Sequence, residues 1–183
     1  GVPRAAMWFD LAVGFVFLFF FRGWGTLAAV ICGATIIAYL TGPVSAAALR
    51  RTAPDIARPM RLPALGVLSC LGFVFSTELM YWATWPLCGE IVLLVVIGLP
   101  VYFYCQARGQ WRDFRRQLDG AWWLLVYLPA IASLSYIGSA KFHGLGWMTY
   151  GWDLVVVGIV GFAFYFWGLA SGWRTPDVAA VSR

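Results

Sequence analysis

Gly23-Trp24-Gly25-Thr26-Leu27-Ala28-Ala29-Val30-Ile31-Cys32-Gly33-Ala34-Thr35-Ile36-Ile37-Ala38-Tyr39-Leu40-Thr41-Gly42-Pro43-Val44-Ser45-Ala46-Ala47-Ala48-Leu49 runs for 27 residues without a charge, and Arg50-Arg51 closes it. The hydrocarbon core of a bilayer is about 30 Å thick and takes roughly 20 apolar residues in a helix. Lipid offers no water to a bare amide, so a spanning backbone must bond to itself. The stretch therefore reads as a transmembrane helix. Five further spans follow the same pattern: Ala5 to Phe21, Pro63 to Ala83, Pro86 to Cys105, Ala121 to Ala140 and Trp152 to Trp173. Trp85-Pro86 makes a tight break between two of them. A closed barrel would need alternating strands of about ten residues, and Ile91-Val92-Leu93-Leu94-Val95-Val96-Ile97 does not alternate. The expected fold is an all-α, polytopic membrane protein with six transmembrane helices.

Composition agrees. Hydrophobic residues make up 62% of the chain and charged residues 11%, against about a quarter charged in a soluble domain. That leaves too little polar surface for a body in water. Eleven Trp suit the boundary between membrane and water, where an apolar ring with a polar tip is at home. The formal charge of +5 does not point to nucleic acid. The cations sit in short breaks between apolar runs, and no basic face or nucleic-acid motif is present. Cys32, Cys70, Cys88 and Cys105 are far apart, fall in or beside apolar runs, and read as small buried hydrophobes. No signal peptide is visible, and an opening Gly1 in place of Met suggests a piece of a longer chain.

The breaks carry loop chemistry and a topological signal. Arg50 to Asp55 and Arg58 to Pro63 combine charge with proline. Gln106 to Gly120 holds Arg108, Arg112, Arg115 and Arg116, in a pattern suited to a surface helix. Lys141 to Gly151 is Gly-rich and aromatic. With six spans, Arg4, Arg50, Arg51, Arg58, Arg61, Arg108, Arg112, Arg115, Arg116, Arg174 and Arg183 share one side, and Arg22 and Lys141 the other. That is eleven against two. The chain is expected in the cell's inner (plasma) membrane, and because positive residues stay inside, the split predicts both termini in the cytoplasm. Removing any internal span would scramble the split.

Ala34, Ala38, Gly42 and Ala46 recur every four residues and so form one ridge of the second helix. Small residues let helix backbones approach in lipid, so the ridge is expected to pack against another helix. Thr35 and Tyr39 lie beside it, as substrate-pathway candidates or as hydrogen-bond partners of a neighbouring helix. Gly42-Pro43 is expected to interrupt the helix, because Pro43 lacks an N–H and crowds the carbonyl four residues back. Acids in lipid are costly. Asp10, Glu78, Glu90 and Asp153 lie near span ends, where reaching water or pairing with Arg22 or Lys141 explains them; proton coupling is the alternative. His143 stands alone, and a metal site needs several ligands. No nucleophile elbow, phosphate loop or zinc motif occurs. No catalytic, cofactor or metal site is expected, and the chain does not read as an enzyme.

The stretch Gly42-Pro43-Val44 through Leu49-Arg50-Arg51, Pro54-Asp55, Arg58-Pro59 and Arg61-Leu62-Pro63 resembles amino acid permeases of the amino acid–polyamine–organocation superfamily, after their tenth helix. Gly1-Val2-Pro3-Arg4-Ala5 resembles the loop before their ninth helix. Leu134 to Gly138, Trp152 to Val156 and Tyr165 to Trp167 are similar to a two-helix extension of fourteen-helix bacterial members. The resemblance implies an inverted-repeat transporter fold. Residues 1–105 would supply the last four helices of its core, and residues 106–183 a cytoplasmic loop and the extension. It implies the C-terminal portion of a proton-coupled secondary amino acid transporter. Its partners would be the lipid bilayer and the N-terminal helices of the same transporter, with an amino acid substrate held only by the complete protein. The broken helices that hold substrate in this fold are not in this chain. Asp10 departs from the neutral polar residue expected at its position. The competing reading is a free-standing membrane scaffold or accessory subunit.

Overall fold

The computed structural model describes residues 4–20, 23–56, 62–108 and 114–173. It contains α1 (Arg4–Phe20), α2 (Trp24–Thr52), α3 (Leu65–Trp82), α4 (Leu87–Arg108), α5 (Phe114–Ile137) and α6 (Trp152–Ala170), with one 3-10 turn at Ala140–Phe142. No strand occurs among the described residues. Five helices are long and apolar enough to cross a membrane, and the apolar part of α1, Met7–Phe19, is shorter. α2 has 29 residues, roughly 43 Å of helix, so it reaches beyond the hydrocarbon. Arg50 and Arg51 lie in its last turn, where cations offset the negative end of the helix dipole.

One local expectation is corrected. The break at Gly42-Pro43 does not form, and α2 runs through it unbroken. Pro43 removes one N–H, the partner of the Tyr39 carbonyl, and membrane helices tolerate that loss when neighbours support them. The ring rests against α3: its Cγ lies 3.6 Å from where a Cβ at Gly72 would be. Thr41 Oγ1 donates to the Ala38 carbonyl at 2.9 Å within the same turn. Pro100 and Pro129 are likewise inside α4 and α5. Of the Arg-rich stretch 106–120, residues 109–113 lie outside the described residues. α4 continues to Arg108 and α5 begins at Phe114, so the described part of that stretch belongs to the ends of the flanking helices. Gln106 Nε2 joins them by donating to Gln117 Oε1 at 2.6 Å.

The core lies where three stripes of period four meet. Ser69, Phe73, Thr77 and Tyr81 are buried along α3; Trp123, Tyr127, Ile131 and Ser135 along α5; Asp153, Val157, Gly161 and Tyr165 along α6. A spacing of four keeps side chains on one face of a helix. α2 adds Val30, Ile37, Leu40 and Val44, and α4 adds Cys88 and Ile91. Phe73 is the hub of the aromatic packing, with ring centroids 5.9 Å from Trp123, 5.5 Å from Tyr127 and 6.1 Å from Tyr165. α6, from the expected extension, therefore packs directly on α3. Glycines set the closest approaches. A Cβ at Gly161 would lie 3.2 Å from Thr77 Oγ1, and one at Gly168 2.9 Å from Val44 Cγ1. Gly33 of α2 faces Ile91 of α4 with no room for a side chain. α1 is mostly exposed and flanks α4 across an apolar cleft of about 580 Å³ lined by Phe9, Val13, Phe17, Leu93 and Ile97.

The bundle also sorts its ends. At one end Arg50 Nη1 donates to the Leu62 carbonyl at 2.9 Å. The Arg116 guanidinium lies 5.8 Å from the Trp173 ring there, and Gly172 abuts Ala48. The opposite end gathers Tyr81, Trp85, Ser139, Lys141 and Asp153. Arg50, Arg51, Arg108, Arg115 and Arg116 thus share an end, away from Lys141, as the charge count required. Arg22, Arg58, Arg61, Arg112, Arg174 and Arg183, and the side chain of Arg4, lie outside the described residues.

The Gly161 contact leads to a graded expectation. Gly161→Ala presses on Thr77, and Gly161→Leu must push α6 off α3, at a cost of about 1–3 kcal/mol or more for an overpacked core. Ile159→Leu, on the exposed face of α6, should be neutral. Unfolding midpoints in detergent should fall in the order Ile159→Leu, Gly161→Ala, Gly161→Leu; equal midpoints would show that the helices do not meet there.

Candidate functional site

Two regions bear on function, and the first holds the residues singled out on α2. The ridge of Ala34, Ala38, Gly42 and Ala46 lies on an exposed face of α2, and nothing lies within 4 Å of a Cβ added at Gly42. Thr35 and Tyr39 flank it. Thr35 Oγ1 donates to the Ile31 carbonyl of its own helix at 2.8 Å, and Tyr39 is 70% exposed. Within this chain the ridge meets no helix among the described residues. α2 instead uses Gly33, one position before Ala34, against Ile91, and Ala48 against Gly172. A step of one residue turns about 100° around a helix, so the two rows of small side chains face different directions.

The second region is a polar seam along α3, which hydropathy did not single out. Tyr165 Oη lies 2.7 Å from Ser69 Oγ and also donates to the Gly66 carbonyl at 3.3 Å. Tyr127 Oη donates to Thr77 Oγ1 at 3.0 Å, and Thr77 donates onward to the Phe73 carbonyl at 2.9 Å. Tyr81 Oη donates to Asp153 Oδ2 at 3.0 Å and accepts the Ser139 N–H at 3.3 Å. The sequence signal was present: Ser69, Thr77 and Tyr81 share the four-residue period of Phe73. Their partners are 50 to 96 residues away, and that pairing was not readable.

The acids divide. Asp10 and Glu90 are exposed. Asp153 is fully buried, which corrects its reading as a carboxylate that reaches water; of the two cations expected to pair with it, Arg22 lies outside the described residues. Its Oδ1 accepts the Gly151 and Leu154 N–H groups at 2.8 and 2.9 Å. It thereby caps the start of α6, where a negative charge also meets the positive end of the helix dipole. Lys141 turns elsewhere, with Nζ 3.7 Å from the Tyr150 ring centroid. Glu78 is half-buried beside Gly158 of α6, and its Oε2 is enclosed without a hydrogen-bond partner among the described residues. His143 is exposed. No group of three potential metal ligands occurs among the described residues. Cys88 is buried, Cys70 partly so and Cys32 exposed, so the expectation of buried cysteines fails for Cys32.

Helices of this length and hydropathy, packed through glycines and paired hydroxyls, define a multi-span membrane protein. The chain is homologous to amino acid transporters over nearly its whole length. It is 50% identical over 175 residues to the glutamate/serine transporter AimA of Bacillus subtilis (strain 168), which covers 96% of this chain and 32% of that protein. It is 33% identical over 176 residues to the aspartate-proton symporter of the same organism, covering 94% of this chain and 33% of that protein. The chain thus spans about a third of the length of the curated relatives it matches. No family model matches it, and no solved structure does.

The Tyr81–Asp153 contact is testable. Asp153→Ala orphans two backbone N–H groups and the Tyr81 hydroxyl, and should cost about 2–4 kcal/mol. Asp153→Asn keeps an acceptor and should cost less. Tyr81→Phe, which frees one carboxylate oxygen and the Ser139 N–H, should cost about 1–2 kcal/mol. Thermal unfolding of the variants in lipid nanodiscs measures the series; an Asp153→Ala protein as stable as the parent would rule out the cap.

Proposed function

We propose that the chain is the C-terminal portion of a proton-coupled secondary amino acid transporter of the inverted-repeat type. The observation that carries this is its homology, along nearly the whole chain, to two transporters each about three times as long. The relatives are named for glutamate and serine and for aspartate with protons. The substrate class proposed here is accordingly small amino acids, with acidic ones foremost. α1 to α4 then belong to the transporter core and α5 and α6 to a peripheral pair. The chain performs no bond chemistry of its own. It lies in the plasma membrane with the Arg-rich end of the bundle in the cytoplasm.

The exposed ridge of α2 supports the same reading. Ala34, Ala38, Gly42 and Ala46 form a face that a helix from the N-terminal part of the transporter can approach closely. Thr35 and Tyr39 flank that contact and border the substrate path. Ala38→Leu in the complete transporter should then lower uptake or folded yield. Saturable uptake at the parent level would remove the ridge from the interface.

Function is tested by reconstitution. Whole gene product in liposomes with an inward proton gradient should accumulate labelled glutamate, aspartate or serine, and collapse of the gradient should abolish accumulation. The 183-residue chain alone should bind and move none of them. Its pathway hydroxyls are too few to replace the hydration of a zwitterion, and unpaired charges in low dielectric cost several kcal/mol. Saturable uptake by the short chain would make it a compact transporter in its own right. Impermeant thiol labelling of a single cysteine within 106–120 from outside intact cells would invert the topology.

A further inference from the structure

The connection between α5 and α6 is a folded unit. Phe142 and Gly144 N–H both donate to the Ser139 carbonyl, at 3.0 and 3.2 Å, and Trp85 N–H, in the turn before α4, donates to the Phe142 carbonyl at 3.1 Å. The Phe142 ring meets Tyr81 edge-on with centroids 5.2 Å apart. Two further bonds set the depth of the loop. Leu145 N–H donates to the Tyr136 carbonyl and Gly146 N–H to the Gly138 carbonyl, both at 2.8 Å. Tyr136 belongs to the last turn of α5, a spanning helix. Having left that helix, the chain comes back to the level of its final turn before α6 begins.

At that level the loop shows apolar and aromatic side chains. Trp147 is 78% exposed, Trp152 70%, Tyr150 52% and Leu145 50%. Trp82 and Tyr136, at the same end of the bundle, are also exposed. The cation of the loop is Lys141, whose ammonium sits over Tyr150; His143 is exposed beside it, and the nearest acid in sequence, Asp153, is buried and bonded to the Gly151 and Leu154 N–H groups. A backbone pinned by this many bonds cannot collapse to cover an indole. In water the exposure of Trp147 and Leu145 would be unfavourable, whereas between headgroups and acyl chains an indole buries its ring and keeps its N–H bonded.

We propose that residues 144–152 form an interfacial anchor that inserts Leu145 and Trp147 into the headgroup–acyl boundary of the leaflet at this end of the bundle. The ligand is the lipid surface itself. Because Trp85 and Tyr81 are tied to the same loop, the anchor fixes the depth of α3 and α4 along with that of α5 and α6. The proposal needs only a spanning bundle and stands apart from the transport reading.

The test uses the whole gene product in a cysteine-free background, with Trp147→Cys or Leu145→Cys labelled by a small fluorophore and reconstituted in phosphatidylcholine–phosphatidylglycerol vesicles. Phospholipid brominated near the carbonyl end of its chains should quench both labels more than phospholipid brominated near the chain terminus. Aqueous iodide, present on both faces of the vesicle, should quench them less than it quenches a label on the Arg-rich connection at residue 55. Iodide quenching equal to that control would place the loop in water and overturn the anchor. Protection from both bromolipid and iodide would mean that another part of the protein covers the loop, and would overturn it equally. Each label replaces an exposed side chain, so neither substitution removes a contact that folds the loop.

Discussion

The close approach of α3 and α6 at Thr77 and Gly161 is the contact on which the rest of the bundle depends. Lipid tails are as apolar as leucine, so burying apolar surface gives two membrane helices no net reason to associate. Shape and polar bonds must supply it. Gly161 lets the backbone of α6 reach Thr77, and the Thr77 hydroxyl, turned back to its own helix, accepts Tyr127 of α5. One turn along α3, Tyr81 meets Asp153. Two turns the other way, Ser69 meets Tyr165. Each bond closes a polar group that lipid could not solvate, and each is in register only because α3 repeats its inward residues every four positions.

That arrangement explains which features the sequence disclosed. Whether a segment crosses a bilayer depends on its own hydropathy and length, which are local. Six helices and their approximate ends therefore appear in the bundle much as read, and the described arginines share one end. The boundaries moved where polar residues extend a helix beyond the membrane, as at Thr52 of α2 and Phe114 of α5. The Gly42-Pro43 break was misjudged because proline's cost was counted on an isolated helix. Gly72 of α3 leaves room for the ring, and the helix continues.

The candidate residues were less legible because their environments come from distant parts of the chain. Asp153 looked interfacial by its place at the mouth of a span. Its burial comes from Tyr81, 72 residues earlier, and from a loop that folds over the end of α5. The same limit applied to small residues. Ala34 and Gly33 are neighbours in sequence and equally small, yet Gly33 packs on Ile91 while the row beginning at Ala34 is exposed. Hydropathy does not separate adjacent small residues on an all-apolar helix, and only a partner decides which row is used.

The composition of the exposed faces bears on what lies beyond them. The outward side of α6 presents Val155, Ile159, Phe162 and Phe166, large side chains that meet acyl chains well. The outward side of α2 presents Ala34, Ala38, Gly42 and Ala46 beside the hydroxyls of Thr35 and Tyr39. Small side chains offer acyl chains few dispersion contacts, and a tyrosine hydroxyl at mid-span has no lipid partner. A helix packed against that face would gain close backbone contact from the alanines and glycine and could bond the hydroxyls. The same row set against lipid would gain neither. On the transporter reading this asymmetry divides the bundle into a side that meets the membrane, at α6, and a side that meets the rest of the protein, at α2. α1 lies beside α4 with little packed surface of its own, so most of its length is open to lipid or to another helix.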